Sequence, residues 1–178
     1  MKFTKLAMLI LIAGMLISTG IAVAETKLDK WEGFRGIKWA TNIKDVNDMR
    51  LVDPSSTSAI KVYSRNGDKL SIGKAKLKYI FYGAYKNKIC SVGVISNGYS
   101  NFQYLKEAVF TYYGEGYQDN EYIEEWMWGY NRTDGKVTMI LKYNEFSEDT
   151  GFYIKYSPIF QEKEEDDAKA AEDADDDF

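Results

Sequence analysis

Histidine is absent from the 178 residues, cysteine occurs once and proline twice. Without imidazole there is no Ser-His-Asp or Cys-His nucleophile pair and no histidine-ligated zinc or haem. A single cysteine excludes an internal disulfide and any multi-cysteine metal site. No glycine-rich phosphate loop, calcium loop or paired metal-ligand spacing occurs; Gly114-Glu115-Gly116 opens no helix after a strand and is a turn. The composition therefore implies no cofactor and no metal. Acid–base work by two carboxylates is the one general enzymatic route left open.

What is present begins with an address. Lys2 and Lys5 precede the apolar run Leu6–Ile17, and Ala22-Val23-Ala24 follows before Glu25. This is the layout of a secretory signal peptide over residues 1–24, so the protein is expected to be periplasmic or secreted, with no integral membrane segment after cleavage. In an oxidising space Cys90 has no intramolecular partner. Alternation puts it on one strand face with Val92 and Val94, as a small buried hydrophobe.

Charge is unevenly placed. Residues 162–178 hold ten acids and two lysines, a net −8, whereas residues 25–161 carry 19 bases and 17 acids. A like-charged block with one aromatic cannot bury enough apolar surface to offset the entropy of ordering, so a disordered acidic tail is expected over 162–178. It could solubilise the protein, bind cations weakly, or act as an electrostatic arm. Inside the 25–161 domain, residues 61–88 are rich in lysine and residues 115–149 in acids, which suits cross-strand neutralisation in one sheet. Export, negative mature charge and the lack of a binding motif argue against nucleic acid as a partner.

Periodicity predicts a short helix over 42–50, a hairpin around Asn66-Gly67 with strands 61–65 and 69–72, and strands over 74–82 and 89–95. Ser100 and Gln103 have the form of a capping box before Phe102, Leu105 and Val109, and Gly114 suits the helix stop. Strands over 122–130, 136–143 and 151–156 follow. Short connections require antiparallel neighbours. The expectation is an α+β fold: an antiparallel sheet of about six strands with two helices packed on one face, arranged as two α-then-meander halves.

Gly33-Phe34-Arg35-Gly36-Ile37-Lys38-Trp39 resembles the opening of uncharacterised exported bacterial proteins that begin with a Phe-x-Gly-Ile-x-Trp-Gly segment, with Ala40 here in the last glycine's place. Ile72-Gly73-x-Ala75-x-Leu77, Tyr113-Gly114 and Trp126-x-Trp128 extend the likeness over residues 33–157. The resemblance implies export and this fold and brings no activity. Phe34, Ile37 and Trp39 are expected to plug the first helix onto the sheet.

Tyr122, Glu124, Trp126, Trp128 and Tyr130 alternate along one predicted strand and so share a face. An aromatic row beside a carboxylate could stack a sugar ring or another flat ligand, or could fill the layer beneath a helix. The sequence favours a non-catalytic binding or interaction domain for an envelope protein, small ligand or glycan. An envelope structural or assembly factor, or a carboxylate-dependent hydrolase of polysaccharides, are the alternatives.

Overall fold

The computed structural model describes residues 32–129 and 135–175. The expected signal peptide and Tyr130 lie outside the described residues. In chain order the elements are β1 (Gly33–Phe34), β2 (Ile37–Lys38), a 3-10 turn (Ile43–Asp45), β3 (Met49–Leu51), β4 (Ile60–Arg65), β5 (Ser71–Ile72) and β6 (Ala75–Lys76). Then come β7 (Tyr79–Tyr85), β8 (Lys88–Asn97), α1 (Tyr99–Tyr113), β9 (Glu125–Trp128), β10 (Val137–Asn144), β11 (Asp149–Tyr156) and α2 (Ser157–Asp175). One antiparallel sheet of seven strands runs β3-β4-β7-β8-β11-β10-β9, and β1-β2 and β5-β6 form two small hairpins beside it. The fold is α+β.

Strict alternation builds the main core. Val137, Met139, Leu141 and Tyr143 of β10, Phe152 and Ile154 of β11, and Val92 and Val94 of β8 point to one face. Phe102, Leu105 and Val109 of α1 close over that face. The helix starts one residue before the predicted cap, after Gly98 at φ 84°, and no side chain caps it. Asn101 is used elsewhere: its Nδ2 donates to the Asn97 carbonyl at 2.9 Å, and its Oδ1 accepts the Lys76 amide at 3.1 Å, tying β6 to the helix. Gly114, at φ 81°, ends α1 as expected.

Four expectations are corrected by longer-range partners. The helix over 42–50 shrinks to the 3-10 turn Ile43–Asp45, because Val46 is extended, Asp48 sits at φ 67°, and Met49–Leu51 pairs with β4 as an edge strand. So short a segment has no helical stability of its own. The strand after Asn66-Gly67 does not return on β4; Ser71–Ile72 pairs with Ala75–Lys76 across Gly73 at φ 56°, and β4 pairs with β7. A bulge at Gly83/Ala84 turns Cys90 away from Val92 and Val94 into a second cluster with Tyr85 and Ile159. There its thiol is pushed up to about 11 by burial and contacts the Gly83 carbonyl at 3.5 Å, consistent with an inert hydrophobe.

The fourth correction concerns the acidic tail, which is helical through Asp175. It is held by partners in the lysine-rich stretch that a local reading of charge cannot see. Ile159 is buried beside Tyr85, and Lys155 lies 4.2 Å from the Phe160 ring. Asp166 pairs with Lys86 at 2.6 Å and accepts the Tyr85 hydroxyl at 2.6 Å, and Glu162 pairs with Lys88 at 3.0 Å. Tyr85 alternates with the core residue Ala84, so α2, a helix where a disordered tail was expected, meets the sheet on the face opposite α1.

This clamp has a pH window. Hydrogen bonds from Lys86 and then Tyr85 hold the Asp166 carboxyl below the usual carboxylate range, so its contribution is present above about pH 4 and is lost as pH falls through its depressed value. The bond to Asp166 raises both Tyr85 and Lys86, so their contributions are present below about pH 10 and fade as pH rises through the raised values. Amide exchange should show residues 157–166 protected at pH 7 and losing that protection as the pH is lowered toward 2, with β8 and β11 unchanged. Equal protection of the helix at both values would contradict the clamp.

Candidate functional site

The predicted aromatic row is interior. Trp126 and Trp128 are 4% and 5% exposed and pair across β10 with Leu141 and Met139. The Trp126 ring lies 5.9 Å from Phe102 and 5.7 Å from Phe110, with Lys106 Nζ 3.6 Å from its centroid. Glu124 holds that ammonium at 3.4 Å, so its task is to seat a cation on the indole. Trp128 Nε1 donates to the Gly114 carbonyl at 3.1 Å. The strand begins only at Glu125; Tyr122 sits in the preceding turn, its amide bonded to Asn120 Oδ1, and is 85% exposed. Of the five residues, only Trp126 and Trp128 therefore share a strand face in the described residues, and that face is covered by α1.

A cleft opens instead on the other flank of α1, between the helix and the two small hairpins. It encloses about 360 Å³, with Val109 and Phe152 beneath and Phe34, Ile72, Tyr112 and Tyr113 around it. At its edge Gly73 allows a close approach: a Cβ there would stand 3.3 Å from that of Ala108. Burial, and then Tyr112 beside it, push the Tyr113 phenol well above its ordinary range.

Arg35 holds the two hairpins together. The turn between β1 and β2 places Arg35 at φ 51° and Gly36 at φ 79°, which directs the guanidinium across to the next hairpin. Nη1 donates to the Lys69 carbonyl at 2.6 Å and Nη2 to the Ser71 carbonyl at 2.9 Å. Asp68 stands 3.9 Å from Nη1 and accepts the Tyr82 hydroxyl at 2.6 Å, linking this strut to β7. Desolvation, reinforced by that hydrogen bond, raises the Tyr82 phenol far above its usual value. The expected Phe34, Ile37 and Trp39 plug exists without the helix it was meant to seat. Phe34 meets Tyr82 edge-on at 6.3 Å, and Trp39 stacks on Tyr156 at 6.0 Å.

The sheet face away from α1 is partly open. Phe81, Gly93, Tyr153, Ile140 and Met127 stand in register across it, and the Tyr153 ring lies over Gly93 and Gly151. Two shallow concavities each hold two acids, Asp119 with Glu125 and Glu124 with Glu145. Lys142 engages Glu125 at 2.7 Å and Lys106 engages Glu124, so neither glutamate is presented as a free carboxyl group. Among the described residues no group of three or more acids or cysteines could hold a metal ion, and no helix is long and apolar enough to cross a membrane.

The sequence signal for the cleft was faint. Arg35 and Tyr112 each look like an ordinary surface residue until the hairpins fold against α1. No protein-family model, curated protein or solved structure matches the chain.

Proposed function

We propose that this protein is an exported, non-catalytic binding domain that holds a small, largely apolar ligand in the cleft between α1 and the two hairpins. The observation that carries this reading is the cleft itself. Segments around residues 34, 72, 110 and 152 converge on a space of about 360 Å³ walled mainly by aromatic and aliphatic side chains, the size and character of a small-molecule site. Among the described residues no carboxylate, thiol or aliphatic hydroxyl lines it, which suits retention of a ligand rather than turnover. Export rests on the charged, apolar and Ala-x-Ala segments of residues 1–24.

Ala108→Trp tests the site, since the indole would fill the cleft from the helix side. The neutral fluorophore 1-naphthylamine should brighten with the wild-type protein and bind the variant about tenfold more weakly, each 1.4 kcal/mol of lost apolar contact being one such factor. Circular dichroism should be unchanged. Equal brightening by both proteins would place the binding elsewhere.

A further inference from the structure

The charges around the cleft narrow the ligand's chemistry. Lys78, Lys86, Lys88, Lys106 and Lys142 are each paired with a carboxylate. Lys69 and Lys74 are exposed, and neither is paired with an acid among the described residues. Both lie on the chain segment that forms one wall of the cleft. The Lys69 carbonyl receives Arg35 Nη1, and Lys74 follows the cleft residue Gly73. Lys74 Nζ reaches 5.9 Å from the Tyr104 ring, one helical turn before Ala108.

Arg35 itself lines the cleft. Its guanidinium carries five N–H donors, of which the Lys69 and Ser71 carbonyls take one each. The nearest counter-charge is Asp68, already engaged by Tyr82. Arg35 thus brings a cation with spare donors to an apolar cavity, and two lysines without an acid partner among the described residues flank it in the chain, against one committed carboxylate. An apolar cation would be repelled there, and a neutral hydrocarbon would gain nothing from those charges.

Resting on the reading of the cleft as the binding site, we infer that the ligand is an amphipathic anion, an apolar body carrying a carboxylate that faces Arg35, Lys69 and Lys74. At roughly 30 Å³ per heavy atom the cavity takes a body of about twelve such atoms. Decanoate is a probe of that size, and decanol is its uncharged counterpart.

Calorimetric titration of the protein, purified as its own cells make it, separates the two claims. Decanoate should bind about tenfold more tightly than decanol at low salt, and the gap should narrow as salt screens those charges. Replacing both exposed lysines, Lys69→Gln with Lys74→Gln, should weaken decanoate by about fivefold and leave decanol unchanged. Equal affinity for acid and alcohol would overturn the anionic inference while the cleft reading stands. A preference for decanoate that survives the double substitution would remove the lysines from the site and overturn the inference as well. Binding of neither probe would overturn both.

Discussion

Trp126→Ala should destabilise the fold by about 3–5 kcal/mol, the range for deleting a large buried aromatic. The indole is 4% exposed and fills the space between β10 and α1, against Phe102 and Phe110. Its loss would leave a cavity that the rigid sheet cannot close, and would strip Lys106 of the ring beneath its ammonium. Glu124 would still hold that lysine, so the damage should be steric before it is electrostatic. Urea unfolding checks this. A midpoint within error of the wild type would mean the residue is not in the core and would return the aromatic row to consideration as a binding surface.

Asp68→Ala should cost about 2–3 kcal/mol, because it leaves a buried phenol without its acceptor and a half-buried guanidinium without its counter-charge. The carboxylate side chain is only 9% exposed and connects β7, through Tyr82, with Arg35 and hence with both hairpins. Tyr82→Phe removes only one donor and should cost about 1 kcal/mol. The double variant should lose less than the sum, since both substitutions break the same bond. Ligand uptake should fall with Asp68→Ala, because the hairpins form one wall of the cleft. Additive losses in the cycle would show that Tyr82 and Asp68 act independently and that no such strut exists.

The two outcomes fall on opposite sides of what the sequence discloses. The sheet and α1 were legible because their signals are periodic and local. Val92, Val94, Met139 and Leu141 alternate, and Phe102, Leu105 and Val109 recur at helical spacing. Trp126 and Trp128 were legible as neighbours on one strand face, but neither the turn that takes Tyr122 off that face nor the orientation of the face was, since Glu124 and Glu125 put one acid on each face and the covering helix comes from elsewhere in the chain.

Features created by distant partners were hidden. Asp166 and Glu162 look like members of a repelling block until Lys86 and Lys88 meet them. Cys90 keeps its alternation in the sequence and loses it at a bulge that only the pairing with β7 creates. Phe34, Ile72, Tyr112 and Phe152, which surround the cleft, are too far apart for any spacing rule to join them.

Backbone amide shifts on titrating the protein with decanoate test the central claim most directly, since they report where the ligand sits without relying on any variant. The account predicts saturable shifts in two segments, Ile72–Lys74 and Ala108–Tyr113, with little change along the open sheet face. Shifts centred on Tyr79, Phe81 and Tyr153, or no saturable shifts at all, would contradict it.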